Sequence, residues 1–230
     1  MNVIITGASR GIGYELCKAF AEKPDNKVFA LARNGEKLSN LAAEINSDRF
    51  HMLAFDLNNR DYKKKLLPEI KASLGRVDIL INNAGALLHK PFQEITDEDF
   101  DAVFGMNVKS PFRLIRDLLP LFNKPAHIIN ISSMGGVQGS VKFPGLSLYS
   151  ASKGALAILT ECLALEFKDQ QIYVNALAIG AVQTEMLAEA FPGYKAPLQP
   201  GQMAAFIKEF ALTGHRYFNG KVLPVSLSTP

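Results

Sequence analysis

The sequence predicts an α/β fold: a single domain over residues 1–230, built as a doubly wound seven-stranded parallel sheet. Three observations point there. Seven apolar runs of β type alternate with amphipathic stretches from end to end, the pattern of a parallel sheet covered by helices on both faces. A glycine-rich turn, Thr6-Gly7-Ala8-Ser9-Arg10-Gly11-Ile12-Gly13, joins the first apolar run directly to the first helical stretch. No linker, repeat or low-complexity segment divides the 230 residues, a length that suits one domain with a substantial core.

The first strand, Asn2–Thr6, runs into the glycine turn, and the first helix, Gly11–Ala21, leaves it. Further strands are expected at Lys27–Ala32 and at 50–55, 77–81, 127–131, 172–176 and 221–225. Helices are expected at 36–45, 61–73, 97–122, 149–167 and 201–212. Thr96, followed by Asp97, Glu98 and Asp99, supplies the capping oxygen and acidic first turn of a helix start. Within 97–122, Lys109-Ser110-Pro111 should bend or break the helix, because proline lacks a donor and disfavours helix just before it.

Composition sets bounds on partners. The formal charge of +3 comes from 25 basic and 22 acidic residues spread along the chain. The densest basic cluster, Lys63-Lys64-Lys65, reads as a solvated helix face, so no nucleic-acid partner is expected. Cys17 and Cys162 lie in apolar helical contexts and read as reduced core or near-core thiols. His51, His89, His127 and His215 show no metal-ligand spacing, and surface or strand-edge positions are expected for them. The first strand begins at residue 2, and no apolar run approaches the ~18 residues of a membrane span. A cytoplasmic protein without a membrane partner is expected.

Two motifs carry chemistry. Strand, glycine turn and helix form the context in which a turn binds phosphate: N–H groups at the helix start point outward, and the helix dipole favours an anion. Gly7 permits a sharp exit from the strand, and Gly11 and Gly13 permit close approach. A plain glycine turn is the alternative for this motif alone. Tyr149 and Lys153, in Tyr-Ser-Ala-Ser-Lys, are four apart and share one helix face. An ammonium beside a phenol favours phenolate, drawing a pKa of about 10 toward neutrality. Such a tyrosine can exchange a proton with an alcohol or carbonyl. Alone, the pair is also what a solvated helix face presents.

In order along the chain, the turn of 6–13, Asp56-Leu57, Asn82-Asn83-Ala84-Gly85, Asn107, Ile131-Ser132-Ser133, and Tyr149 with Lys153 resemble the short-chain dehydrogenase/reductase family. The segment 175–186 matches more weakly. The resemblance implies a Rossmann fold and a nicotinamide dinucleotide cofactor. Nineteen positions past Gly13 stands Ala32, with Arg33 next, where an adenosine ribose commonly meets a carboxylate. A guanidinium there, with Arg10 inside the turn, favours a 2′-phosphate and hence NADP(H); ordinary surface charges are the alternative. By resemblance, Asp56 accepts from the adenine amino group and Leu57 lies along the ring. Asn83, Ala84 and Gly85 floor the ribose, and Gly180, Val182 and Thr184 meet the carboxamide.

At the reacting centre the resemblance assigns Tyr149 as acid or base and Ser133, the second serine of its pair, as a donor to the same oxygen. It assigns Lys153 to the nicotinamide ribose and to lowering the Tyr149 pKa. Asn107 resembles the position that holds a water in a proton relay; the alternative is an asparagine that merely disturbs its helix. Ile179-Gly180 stands where relatives have Pro-Gly. The substrate-covering segment 184–197 is short, with Met186, Leu187, Phe191 and Tyr194, which suggests an open pocket for a bulky or carrier-bound substrate. The longer 134–148 stretch, with Phe143, Leu146 and Leu148, can replace part of that wall. The chain also lacks the Gly-Gly tail of relatives.

The expected activity is NADPH-dependent reduction of a ketone or aldehyde, first a 3-oxoacyl thioester as in 3-oxoacyl-carrier-protein reductases. Small-carbonyl, steroid and pterin substrates are alternatives. A non-catalytic NADPH-binding regulator is the alternative from another class. A homodimer or homotetramer is expected; the apolar helix faces at Leu156, Leu159 and Leu163 suit either core packing or a dimer interface.

Overall fold

A computed structural model describes residues 1–59 and 61–227. Its strands are β1 (Asn2–Thr6), β2 (Lys27–Ala32), β3 (Phe50–Ala54), β4 (Val77–Asn82), β5 (Phe122–Ser133), β6 (Ile172–Ile179) and β7 (Val222–Val225). They form one sheet in the order 3-2-1-4-5-6-7, with every neighbouring pair parallel. The winding reverses between β1 and β4. Such a switch point opens a crevice at the C-terminal strand ends, where ligands bind in sheets of this kind.

The helices are α1 (Gly11–Ala21), α2 (Gly35–Ile45), α3 (Leu67–Leu74), α4 (Asp97–Phe104), α5 (Ser110–Leu118), α6 (Ser147–Glu166), α7 (Glu185–Ala190) and α8 (Pro200–Thr213). Alternation along β1 sends Val3 and Ile5 into one apolar core and Ile4 into the other. Leu16, Phe20, Leu38, Met203 and Ile207 bring α1, α2 and α8 onto the first. Ile70, Leu114, Leu118 and Leu163 bring α3, α5 and α6 onto the second. Burial on both faces is why the central strands read as continuous apolar runs.

The region 97–122 departs from the expected helix. Thr96 and Asp99 form a reciprocal capping box at its start, as the sequence suggests. The chain then widens into a π-turn over Gly105–Lys109, before Pro111, and resumes as α5. Pro111 sits in the first turn of α5, where its missing donor costs nothing. Phe122 belongs to β5, paired with Val77. The helix expected at 61–73 likewise begins as a π-turn, Tyr62–Leu66. Helix α7 was not anticipated.

Several burial expectations are corrected. Cys17 is buried, and burial pushes its thiol pKa up, but Cys162 is exposed. Of the two roles open to Leu156 and Leu163 the structure gives core packing, and the outward face of α6 carries Ile158 and Leu165, 61% and 76% exposed. Cys162 falls on that face by helical spacing. His127 is buried within β5, not at a surface: its Nδ1 meets the Ala211 carbonyl and its Nε2 meets the Asn175 amide, each at 3.0 Å. Burial pushes its pKa down to about 4. Helix α6 is also long and apolar enough by composition to cross a bilayer, contrary to the expectation for the sequence; here it packs on β5 and β6.

Candidate active site

The crevice at the switch point is a cleft of about 1020 Å³. Its floor is fixed where β1 and β4 end. The Thr6 hydroxyl accepts from the backbone N–H groups of Asn83 (3.0 Å) and Ala84 (2.9 Å), and the Asn83 amide donates to the Thr6 carbonyl (2.9 Å). Gly7 has φ +71°, and a Cβ there would lie 2.9 Å from the Ala84 Cα. Gly13 does not line the cleft: a side chain there would overlap the Gly7 carbonyl and the Asn83 amide, so it packs beneath the turn. Thr6 is a residue that reading along the sequence missed. Its partners lie 77 and 78 positions away, and only the strand register brings them together.

Helix α6 is set against the sheet by buried polar bonds. Asn82 donates to Asn130 (2.8 Å) and Asn130 to Thr160 (2.9 Å), tying β4 and β5 to the helix. The Ser132 hydroxyl donates to the Lys153 carbonyl (2.9 Å), and the Lys153 Nζ donates to the Ile131 carbonyl (2.7 Å). Asn107, fully buried in its π-turn, accepts from the Ala86 N–H (2.7 Å) and donates to the Ala86 carbonyl and the Ser152 hydroxyl, both at 2.9 Å. Ser152 donates in turn to the Tyr149 carbonyl (2.7 Å). Asn107 therefore braces the exit of β4 against the turn of α6 that carries Tyr149, and it does not itself line the cleft.

Ser133, Tyr149 and Lys153 all face the cleft. The Ser133 hydroxyl stands near enough to the Tyr149 phenol to lower its pKa, and it accepts from the Gly135 N–H (3.2 Å). Burial pushes the phenol pKa up, and Ser133 pulls it partly back. Lys153 is 4% exposed, and burial depresses its amine to about 8. Its Nζ stands 5.8 Å from the Tyr149 ring centre. The direction is thus opposite to the expected lowering by Lys153: burial raises the phenol, and Ser133 is what opposes it.

One arm of the cleft is lined by Ser9, Arg10, Gly11 and Ile12 of the glycine turn, by Arg33, Leu57, Asn83, Ala84 and Gly85, and near the sheet's end by Gly180, Val182 and Thr184. Arg10 begins α1 with no side-chain cap, so the first N–H groups of that helix remain open toward the cleft. Lys37 joins Arg33 there, a neighbour not singled out in the sequence. Asn34 accepting from the Lys37 N–H (2.9 Å) starts α2 at that point, a capping signal that could have revealed it. Asp56 departs from expectation. It is exposed and outside the lining, with its carboxylate accepting from the Asn58 N–H (2.9 Å), while Phe55 and Leu57 on either side line the cleft. Arg10 is not free either: its guanidinium is ion-paired with Glu189 of α7 at 2.5 Å.

The other arm is apolar. Leu87, Met134, Val141, Phe143, Leu146, Met186, Leu187, Phe191 and Tyr194 line it, so the short 184–197 segment and the 134–148 stretch both contribute wall residues. Leu148 is buried and takes no part in the lining. Thr184 caps α7, accepting from the Leu187 N–H (3.2 Å). His89 packs against the Phe191 ring with centroids 5.0 Å apart, and the Lys90 N–H donates to the Gly145 carbonyl (2.9 Å).

Comparison with known proteins places this architecture. A family model described as short chain dehydrogenase matches residues 1–195. A protein named nodulation protein G from a Rhizobium species is 37% identical over 188 residues, covering 80% of this chain and 74% of that protein. Cyclopentanol dehydrogenase from a Comamonas species is 34% identical over 190 residues, with the same coverage of 80% and 74%. Among solved structures, a 3-ketoacyl-(acyl-carrier-protein) reductase from Brucella melitensis, complexed with NADH, superposes with a TM-score of 0.87 at 28% identity, covering 98% of this chain and 96% of that one.

Proposed function

This chain belongs to the short-chain dehydrogenase family and is an oxidoreductase of that family; from that premise, we propose that it reduces the carbonyl of an uncharged, bulky substrate to an alcohol with NADPH. The observation that carries the proposal is the meeting of Ser133, Tyr149 and Lys153 in the same cleft as the open N-terminus of α1.

The residues present fit a dinucleotide. Gly7, Ala84 and Gly85 leave a shallow cradle, the α1 N-terminus offers N–H groups to a pyrophosphate, and Arg10, Arg33 and Lys37 gather at one end. The last three support NADPH over NADH, since no carboxylate follows β2 and cations suit a 2′-phosphate. When bound, the cofactor supplies hydride. The chain then does the rest. Ser133 and Tyr149 donate hydrogen bonds to the substrate oxygen on which negative charge develops. A phenol whose pKa is held up by burial is protonated at neutral pH, the state required to deliver a proton in reduction. Lys153, bonded to the Ile131 carbonyl and 3.4 Å from the point a Cβ on Gly85 would take, would hold the ribose hydroxyls and stabilise the phenolate left when Tyr149 gives up its proton, which solvent then replaces. Asn107 and Ser152 fix the backbone of that helical turn.

The apolar arm favours an aliphatic, alicyclic or aromatic ketone. A 3-oxoacyl thioester fits through its acyl chain, in line with the Brucella neighbour, and a small cyclic ketone fits in line with the Comamonas relative. Exposed Ile158 and Leu165 on α6 and Phe112 on α5 support a homodimer or homotetramer. The free thiols of Cys17 and Cys162 suit a reducing, cytoplasmic setting.

The test uses NADPH with acetoacetyl thioesters, cyclic ketones, diketones and quinones, following loss of nicotinamide absorbance. Tyr149→Phe should lower turnover by about a thousandfold and leave the cofactor Kd within about twofold. Full activity in that variant would overturn the mechanism. Tight cofactor binding by the wild type with no turnover of any carbonyl would favour a nucleotide-sensing regulator instead.

A further inference from the structure

Helix α7 places two carboxylates, Glu185 and Glu189, four residues apart on one face. That face meets the glycine turn. Glu189 grips the Arg10 guanidinium with both oxygens, at 2.5 and 3.5 Å. Lys37 lies close enough to act on the same carboxylate. Glu185 lines the cleft, with an oxygen 3.7 Å from the position a Cβ on Gly11 would take. Far from presenting bare cations, the phosphate end of the cleft is covered by anionic side chains. Just past Glu189, the C-terminal end of α7 rests on the substrate arm through Phe191 and His89. A single short helix thus touches both the cation site and the wall of the substrate pocket.

We propose that Glu189 is a cofactor-specificity residue: α7 is a latch whose carboxylate occupies the cations meant for the ribose 2′-phosphate, and NADP(H), unlike NAD(H), releases it. The proposal rests on the reading of Arg10 and Lys37 as 2′-phosphate residues. The physical basis is competition for one guanidinium. A phosphomonoester carries between one and a half and two negative charges at neutral pH, against one for Glu189, and offers three acceptor oxygens to Arg10 and Lys37 together. The Arg10 and Glu189 side chains are 38% and 63% exposed, so their pair is weak and easily exchanged. A cofactor without the phosphate leaves Glu189 in place, and α7 stays fastened over the turn. Because Phe191 closes the same segment, release of Glu189 also frees the substrate wall.

The measurement is the Kd of NADPH and of NADH, by nicotinamide fluorescence, for wild type, Glu189→Gln, Glu189→Lys and Arg10→Ala. 2′,5′-ADP and 5′-ADP serve as probes that lack the nicotinamide. Glu189→Gln should tighten NADPH by about threefold and change NADH little. Glu189→Lys should raise the NADPH preference further, by about tenfold over wild type, and both gains should shrink in ~1 M salt. The 2′,5′-ADP affinities should follow NADPH. The NADPH preference is the ratio of the NADH Kd to the NADPH Kd, and an unchanged or reduced ratio in Glu189→Gln overturns the latch. Arg10→Ala separates the two levels of argument. If it lowers the ratio while Glu189→Gln does nothing, the phosphate reading stands and the latch is discarded; if Arg10→Ala leaves the ratio unchanged, the phosphate reading itself fails.

Discussion

In the cofactor arm of the cleft the central lining segments leave the C-terminal ends of neighbouring strands and are bonded to each other there, as Thr6 is to Asn83 and Ala84. The substrate arm is assembled mainly from two excursions, 134–146 and the part of 180–198 beyond Thr184, with several bonds inside each excursion. Ser140 donates to the carbonyls of Met134 and Val137, the Lys142 Nζ to Val137, and the Ala196 N–H to the Gln183 side chain. The first arm inherits the rigidity of the sheet; the second can change its lining without disturbing the frame. One fold can therefore keep its cofactor chemistry fixed while its substrate varies.

The sharpest way to probe this contrast is at Lys153, whose amine is buried in the rigid arm. Lys153→Met should lower turnover at least about a hundredfold, yet raise stability at neutral pH. Burial holds the folded-state pKa near 8, against 10.5 when unfolded, so between those values the unfolded chain binds more protons. Wild-type stability should rise as pH increases from 8 to 10.5 and be lowest below 8. The shift corresponds to about 3 kcal/mol, part of which is lost with the bond to the Ile131 carbonyl. Denaturant melts across that range should show the variant's advantage shrinking as pH rises; a constant difference would mean the amine is not desolvated.

A smaller effect is expected at the junction of β1 and β4. Thr6→Val keeps the shape but strips the acceptor from two backbone N–H groups. It should cost about 2 kcal/mol, or about 5 °C in Tm, and weaken cofactor binding through the displaced Asn83 floor. A Tm change within a degree would show that the junction is held by other means. Smallest in stability is Phe143→Ala in the substrate arm. Its ring is 41% exposed, so stability should move by less than about 0.5 kcal/mol. KM for an apolar ketone should rise about tenfold, with cofactor Kd unaltered. A matching change in cofactor Kd would mean that the 134–146 loop, like α7, reaches the cofactor arm.

The legibility of the sequence follows the same division. Strands β1 and β2 and helix α1 were readable to the residue, because apolar periodicity and a glycine turn are local signals. The ends of β5 were not. Residues 122–126 extend the strand because β4 and β6 lie alongside, with Phe122 paired to Val77 and Ala126 to Ile172. Helix α7 was also invisible, being six residues with no buried face to leave a pattern. Asn107 could be noticed by motif, but its bracing role depends on Ala86 and Ser152, which lie 21 and 45 positions away.

By itself the sequence determined the alternating fold, the phosphate-type turn and the Tyr149–Lys153 pair, each written in short-range spacing and residue chemistry, while Ser133 entered through family resemblance alone. Tertiary structure alone decided that Tyr149 is held up by burial, that Asp56 turns away from the cleft, and that Arg10 meets Glu189. The reason is physical: spacing along a chain fixes which groups share a turn or a face, whereas desolvation and ion pairing depend on which distant groups the packed sheet brings within a few ångströms.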